Sequence, residues 1–335
     1  MRIVIPGGSG QVGTILARAF HRDGHDVVVL SRRPRPQLWR VTAWDGETLG
    51  EWRRDIDGSD VVINLTGRSV NCRYGAANRR AILESRVRST HIVGEAIAAA
   101  SSPPRVWLQA STATIYAHRF DVANDEATGI LGGAEADAPP AWRFSIDVAR
   151  AWERAFDEAV TPWTRKVALR SAMTLSPDAG GVFDTLLRLV RYGLGGRAGD
   201  GRQFMSWIHY EDFVRATRWL IARDDVDGVV NLAAPNPLPN ADFMRELREA
   251  WGSRVGLPAT EWMLELGALL LLRTETELIL KSRRVVPVRL LDGGFRFAFP
   301  DWRDAARDLC RQWKAPRGAC YDKRSVSADL TSVGQ

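Results

Sequence analysis

Lysine is scarce in this 335-residue chain: only Lys166, Lys281, Lys314 and Lys323 occur among its 46 basic residues. The arginines that make up the rest are interspersed with 40 acidic residues and form no basic runs. The net charge of +6 therefore lacks the clustering that is typical of nucleic-acid-binding proteins. We predict an arginine-rich, solvated surface and no nucleic-acid partner.

Cysteines and long apolar runs are also few. Cys72, Cys310 and Cys320 are odd in number and far apart, so they predict neither a disulfide framework nor a metal site. The most apolar stretch, at 262–272, contains Glu265 and is too short to span a bilayer. We expect it to form a buried or partner-facing helix, on which two subunits could pair as a homodimer. Since the first residues show no export signal, we expect a cytoplasmic protein without a membrane partner.

Three glycines follow the first apolar run. RIVI at 2–5 is typical of a buried parallel strand, and Gly7, Gly10 and Gly13 come next, ahead of an amphipathic helix. The first glycine permits a tight turn, the second lets a pyrophosphate approach the backbone, and the third lets the helix pack closely on the strand. A second strand pattern at 26–30 completes the unit. The sequence therefore predicts a dinucleotide site at the helix N-terminus.

Ser31, Arg32 and Arg33 follow the second strand. An acidic residue here would bind the ribose 2′-hydroxyl and repel a 2′-phosphate, whereas a hydroxyl and two guanidinium groups favour the phosphate. We predict NADP(H) as the cofactor. A pair of solvated loop arginines is the alternative.

Two later strands end in small or hydroxyl-bearing residues. A helical linker is expected ahead of the strand at 61–65, which runs into Thr66 and Gly67 and suits close passage of a dinucleotide. The next strand runs into Ser111 and Thr112, whose hydroxyls are placed to hold a substrate carbonyl or hydroxyl.

Several further motifs carry a family resemblance. They are NLTG (64–67), SRVRST (85–90), WE (152–153), GLGGRAGDGRQFMSWIHYEDF (193–213), NLAAPNPLPNADF (231–243) and SRRVVPVRLLDGGFRFAFP (282–300). With the glycine loop, they make the chain resemble the extended short-chain dehydrogenase/reductase superfamily over about residues 2–310. Within it, the chain is similar to an atypical epimerase-like family, often labelled YfcH-like, that carries a small C-terminal domain.

This resemblance implies an α/β fold, with a Rossmann-type doubly wound parallel sheet of about seven strands and a smaller C-terminal α/β substrate lobe. The nucleotide domain is expected at 1–175, with about 205–235 returning to it. The lobe is expected at 176–315, with the family's C-terminal domain at about 255–305 and a flexible tail at 316–335. The expected cofactor contacts are Gly7, Ser9, Gly10, Gln11, Val12, Gly13, Ser31, Arg32, Arg33, Leu65, Thr66, Gly67, Ala110, Ser111, Ala172 and Met173.

The superfamily's tyrosine–lysine pair is missing. Counted back from Glu153, which resembles the superfamily's acidic residue on this helix, the tyrosine position holds Ser145 and the lysine position holds Ala149. A shifted motif is excluded, because no lysine precedes Lys166 and no tyrosine has a lysine four residues later. A serine without a nearby lysine is a poor replacement, since its pKa lies far above the ~10 of tyrosine.

Any catalysis must therefore move its proton through another group. Thr112, Tyr116 and His118 are the candidates, and each has a structural alternative: a strand-end hydroxyl, a packing ring and a solvated loop histidine. His209 is predicted to be a hydrogen-bonded structural residue that holds the lobe near the sheet.

The glycine-rich segment 195–207 is predicted to expose Arg197, Arg202 and Gln203. It either closes over a small anionic or polyhydroxyl substrate or forms a cluster of surface turns. Three functions remain open at this point. The first is an NADP(H)-dependent, epimerase-like oxidoreductase, the second a non-catalytic NADPH sensor or scaffold, and the third an isomerase or lyase with a structural cofactor.

Overall fold

The computed structural model describes residues 1–135, 139, 142–259 and 277–315. Seven parallel strands form one sheet in the order β10-β6-β5-β4-β1-β2-β3. These strands are β1 (Arg2–Pro6), β2 (Asp26–Ser31), β3 (Arg40–Ala43), β4 (Val61–Asn64), β5 (Val106–Thr112), β6 (Arg165–Ser171) and β10 (Gly228–Leu232). The order reverses direction at β1, as in doubly wound dinucleotide-binding sheets, so the predicted fold class is confirmed.

The strands are apolar on both faces because helices cover both faces of the sheet. Successive side chains alternate between the faces. On β1, Ile3 and Ile5 therefore enter one core, while Val4 enters the other with Val28 and Val62. Burial of each such side chain contributes roughly 1.5–3 kcal/mol.

Helices that pack on this sheet include α1 (Gln11–Arg22), α2 (Arg53–Ile56), α3 (Ala76–Ala98), α4 (Arg143–Asp157) and α6 (Tyr210–Ala222). Helices α1 and α6 pack together and contribute to the core on the Ile3 side, whereas α3 packs on α4 on the Val4 side. A 3₁₀ turn at Ala113–Ile115 follows β5. The carboxyl ends of the central strands thus open into a cleft between the loops that lead into the helices.

A second core lies beside that cleft. Its elements are β7 (Met173–Leu175), α5 (Val182–Arg191), β8 (Phe204–Met205), β9 (Trp207–His209), β11 (Leu238–Pro239), α7 (Asn240–Trp251) and α10 (Trp302–Lys314). Two short helices, α8 (Glu277–Leu280) and α9 (Val288–Asp292), come between α7 and α10, and Leu290 of α9 enters the sheet core that contains Ile3. Phe243 of α7 stacks on Trp302 of α10 with ring centroids 4.0 Å apart. Trp302 also donates its indole N–H to the Phe243 carbonyl at 2.8 Å.

The linker prediction was wrong. Between β2 and β4 the chain forms strand β3 and only a single turn of helix, α2. Pro34 and Pro36 disfavour a helix just ahead of β3, and Val41 and its neighbours instead extend the sheet edge beside β2. The predicted apolar helix at 262–272 and the tail at 316–335 lie outside the described residues. In the part of the chain that is described, no helix has the length and apolar character needed to cross a bilayer.

Candidate functional site

The glycine loop joins β1 to α1 at the carboxyl edge of the sheet. Gly7 has φ +73°, and a Cβ there would lie 2.7 Å from the Thr66 Cα. A Cβ at Gly13 would lie 2.4 Å from the Gly8 Cα, so the third glycine packs against the loop itself rather than against the strand. At both positions a side chain would collide with the protein's own backbone, so the fold itself requires glycine there.

Gly10 is different. Apart from its two chain neighbours, the protein atom nearest to a Cβ built there is the Gly7 carbonyl oxygen, 3.8 Å away, and the residue is exposed. The space over Gly10 is thus open, and α1 begins there with no acidic side chain in its first turn. Because the free N–H groups of a helix N-terminus attract anions, this cradle fits a pyrophosphate. Ser9 is exposed beside it, Val12 is half-buried, and Gln11 donates its side-chain amide to Ser176 Oγ at 2.9 Å.

A cavity of about 750 Å³ continues from this cradle past the end of β2. Its walls include Arg32 and Arg33, the two predicted cofactor contacts, and also Arg35 and Arg68, which sequence reasoning missed. Ser31 also lines the cavity, but its side chain is almost fully buried and its Oγ accepts a hydrogen bond from the Arg33 backbone at 3.2 Å. Four guanidinium groups around one cavity fit a phosphate monoester.

The residues after β4 line the same edge. Leu65 is half-buried and bonds through its backbone to Pro6, while Thr66 donates its backbone N–H to Asn64 Oδ1 at 3.1 Å. The Thr66 hydroxyl is buried and has no hydrogen-bond partner among the described residues. A Cβ at Gly67 would lie 3.0 Å from the guanidinium carbon of Arg86, so Gly67 admits that arginine.

Ser111 does not reach the cleft as a substrate ligand. Its hydroxyl donates to Glu153 Oε1 at 2.5 Å, and only 6% of the residue is exposed. Its neighbour Ala110 is half-buried. Ala172 and Met173, which follow β6, are half-buried as well and bond through their backbone N–H groups to Leu232 and Ser206.

The Tyr116 hydroxyl is held in a buried hydrogen-bond network. Its hydroxyl donates to Asn231 Oδ1 at 2.9 Å and accepts from Arg170 at 3.0 Å, and burial raises its pKa. Arg170 in turn forms a bidentate pair with Glu153, at 2.8 and 2.7 Å. Because 1% of Tyr116 is exposed, this hydroxyl is not presented to a substrate, and the packing interpretation of Tyr116 fits the structure.

Thr112 and His118 are more open. Thr112 is half-buried, and its Oγ1 accepts from the Thr114 backbone at 3.1 Å, which leaves its own proton to donate to a ligand. The His118 ring lies 5.0 Å from Phe120 and 5.0 Å from Trp142, and its Nδ1 accepts from the Ser282 backbone at 2.8 Å. His118 therefore joins the loop after β5 to the C-terminal segment.

The two positions of the missing pair differ. Ala149 is fully buried against other apolar groups, so no functional group replaces the lysine on α4. Ser145 donates its hydroxyl to Glu277 Oε2 at 2.6 Å and also hydrogen-bonds to the Tyr74 hydroxyl.

In the glycine-rich segment 195–207, Arg197 and Arg202 are exposed as predicted. Gln203 is instead buried and donates to the carbonyls of Ala198 and Ile279, which corrects its predicted exposure.

Polar residues from the C-terminal segment contact Ser145 and Thr114, and sequence reasoning missed them. Lys281 is fully buried and donates to the Thr114 carbonyl at 2.8 Å, and burial lowers its pKa to about 8. Arg283 donates to Thr114 Oγ1 at 3.2 Å. No local signal marks these residues, because Glu277 lies 132 positions after Ser145.

The chain matches two families over most of its length. The NAD dependent epimerase/dehydratase family covers residues 3–233, and a domain of unknown function, DUF1731, covers residues 259–309. Epimerase family protein SDR39U1 from Bos taurus is 31% identical over 315 residues, which is 92% of this chain and 99% of that protein.

Solved structures agree with these matches. The human epimerase family protein SDR39U1, crystallised with NADPH, superposes with a TM-score of 0.80 at 28% identity and covers 93% of this chain and 99% of its own. A nucleoside-diphosphate sugar epimerase from Corynebacterium glutamicum gives a TM-score of 0.72 at 27% identity, over 93% of this chain and 58% of that one. This protein belongs to the NAD dependent epimerase/dehydratase family, as its sequence motifs predicted.

Proposed function

We propose that this protein is an NADP(H)-binding, epimerase-like oxidoreductase that acts on a small polar substrate without the Tyr-x-x-x-Lys pair. The observation that carries the proposal is the arginine-lined cavity at the end of β2, whose walls include Ser9 next to the open space over Gly10. The open space over Gly10 matches the pyrophosphate of a dinucleotide. The arginine-lined cavity matches the 2′-phosphate, which NADP(H) carries and NAD(H) lacks.

The chain's own residues define the cofactor contacts. The first turn of α1 would hold the pyrophosphate, and Arg32, Arg33 and Arg35, which line the cavity, would bind the 2′-phosphate. When bound, NADP(H) accepts or supplies the hydride. The human relative crystallised with NADPH supports this choice of cofactor.

The substrate side of the cleft is polar. Thr112 has a proton to donate to a substrate oxygen at the carboxyl end of β5. Arg197 and Arg202 are exposed in the glycine-rich segment, and they favour an anionic or polyhydroxyl substrate.

A non-catalytic NADPH-binding protein is the second candidate, and one observation favours it. Ala149 is sealed in the core where the lysine of an active enzyme would lie, while the cofactor cradle remains open. The retained cleft would then serve to sense or store the nucleotide.

Fluorescence titration with NADPH and NADH tests the cofactor assignment. We expect Arg32→Glu to raise the dissociation constant for NADPH at least tenfold, equivalent to about 1.4 kcal/mol, and to change that for NADH much less. Arg22→Glu, at the exposed far end of α1, is the matched control and leaves both constants unchanged. Equal losses for both nucleotides would refute the 2′-phosphate assignment, and a wild-type protein that binds neither would refute the function.

A turnover assay separates the oxidoreductase from the sensor. It follows the absorbance decay of NADPH with a panel of aldehydes, ketones and quinones.

A further inference from the structure

Tyr74 occupies a defined place in the loop between β4 and α3. Its ring lies edge-on to Phe144, with centroids 5.1 Å apart, and its carbonyl accepts a hydrogen bond from Arg79 at 2.8 Å. Arg79 also lies over the Phe144 ring, 4.8 Å from its centroid. The ring and the backbone of Tyr74 are therefore both anchored, although the residue is only half-buried.

The Tyr74 hydroxyl begins a directed chain of hydrogen bonds. It bonds to the hydroxyl of Ser145, and Ser145 donates its only proton to Glu277 Oε2 at 2.6 Å. Tyr74 must therefore be the donor in its bond to Ser145. The chain runs from a partly buried phenol, through the helix position that the superfamily gives to its catalytic tyrosine, to a buried carboxylate.

Tyr74 also lies next to the cofactor edge of the sheet. It interacts electrostatically with Arg86, whose guanidinium donates to the Arg68 carbonyl at 3.0 Å and lies against Gly67. Arg68 lines the cavity assigned to the cofactor. Ligands of doubly wound sheets bind at the carboxyl ends of the strands, which is where this loop and the face of α4 meet.

The charged and titratable groups around Tyr74 come from three segments. Glu277 and Arg283 face it from the C-terminal segment, Arg86 from α3 and Cys72 from its own loop. Burial raises the pKa of Tyr74, the hydrogen bond with Ser145 opposes that rise, and the negative charge of Glu277 adds to it. An adjacent positive charge would lower that pKa into the range that is useful for proton exchange.

We propose that Tyr74 is the residue that exchanges the substrate proton in this protein, with Ser145 and Glu277 carrying the proton onward. In the oxidation direction, the hydride leaves the substrate carbon for NADP⁺ and the substrate hydroxyl gives its proton to the Tyr74 oxygen. Tyr74 passes its own proton to Ser145, and Ser145 passes its proton to Glu277, which changes from carboxylate to carboxylic acid. Carbonyl reduction reverses every transfer, so charge and electrons balance in both directions. This inference rests on the proposed function.

Carbon-13 NMR of protein labelled at the tyrosine Cζ tests the position of Tyr74 without any substrate. The chain has five tyrosines, and Tyr74→Phe identifies the Tyr74 signal. NADP⁺ and NADPH carry the same phosphates and differ in the charge of the nicotinamide. We expect the pKa of Tyr74 to be about one to two units lower in the NADP⁺ complex than in the NADPH complex. Equal pKa values in the two complexes would overturn the proposal.

Two carboxylate variants test the relay. Glu277→Gln removes the negative charge beside Tyr74 and should lower its pKa in the absence of nucleotide. Glu126→Gln is the matched control, because this half-buried carboxyl faces Tyr116, and it should leave the Tyr74 signal unmoved. A Tyr74 pKa that does not respond to Glu277→Gln would contradict the relay.

Turnover with the carbonyl panel tests the chemistry. Tyr74→Phe should lower kcat at least 100-fold while the dissociation constant for NADPH stays unchanged. Glu277→Gln should lower kcat and shift its pH profile, and the exposed Tyr192→Phe is the control with wild-type turnover. Wild-type turnover by Tyr74→Phe overturns the proton assignment and leaves the proposed function intact. NADPH binding without turnover overturns the relay and favours the sensor, and no NADPH binding overturns both proposals.

Discussion

At the residue scale, the glycines of the loop after β1 separate the needs of folding from the needs of binding. Gly13→Ala places a Cβ 2.4 Å from the Gly8 Cα, and we expect it to destabilise the fold by up to about 3 kcal/mol. Gly10→Ala meets no protein atom closer than 3.8 Å and leaves the melting temperature unchanged, but it raises the NADPH dissociation constant at least about tenfold. Thermal melts and nucleotide titration measure both effects. A Gly10→Ala protein with unaltered NADPH affinity would contradict the cradle assignment.

Single residues also show where sequence reasoning stops. The glycines and Arg32 were identifiable because local spacing determines their roles. Tyr74, Glu277 and Lys281 were not, since they meet only after the chain returns from its C-terminal segment. Tyr116 was selected for its chemistry, but its hydroxyl is used by Arg170 and Asn231. The position of Tyr116 just after a strand does not reveal that its hydroxyl is already hydrogen-bonded inside the protein.

At the element scale, one ion pair holds α4 against β6. Glu153 of α4 and Arg170 of β6 form two hydrogen bonds, and about 10% of each side chain is exposed. Glu153→Gln would leave a buried guanidinium without its counter-charge, and we expect it to reduce the free energy of unfolding by about 3–5 kcal/mol. Urea unfolding measures the loss. Glu158→Gln, exposed at the end of the same helix, should change stability by less than about 0.5 kcal/mol. Similar small losses in both variants would show that the pair is dispensable.

The elements themselves were predictable to different degrees. Strands β1, β2 and β4 were found because burial on both faces makes them largely apolar, and β5 was found from its apolar start at 106–108. Strand β3 was missed because it is an edge strand whose residues are half-buried or exposed. Its pairing with β2 depends on the neighbouring strand, which local composition does not encode.

At the scale of the whole molecule, His209 connects the seven-stranded sheet and its helices to α10. It was predicted as a structural residue and is fully buried: its Nδ1 accepts from the Glu211 backbone at 3.2 Å, and its Nε2 lies 3.2 Å from Asp308 Oδ2 of α10. The ring also lies 3.9 Å from that of Phe299. One neutral imidazole thus contacts both the start of α6 and a carboxylate of α10.

This arrangement makes stability sensitive to acid. Burial lowers the pKa of His209 below its ordinary value of ~6.5, despite the nearby carboxylates. Above pH 6.5 the histidine is neutral in both folded and unfolded chains, so its contribution is constant. As the pH falls from 6.5 towards the lowered pKa, only the unfolded chain gains a proton. Stability therefore falls by up to about 1.4 kcal/mol per pH unit in that window.

Unfolding at pH 7.5 and pH 5.0 in the wild type and two histidine variants measures how much His209 contributes to the pH dependence of stability. His209→Asn retains an oxygen that can cap α6 but cannot take up a proton, so we expect its stability to depend less on pH than that of the wild type. His91→Asn, exposed on α3, should keep the wild-type dependence. If His209→Asn and the wild type lost the same free energy between the two pH values, His209 would not be the group through which acid weakens the junction between the sheet domain and α10.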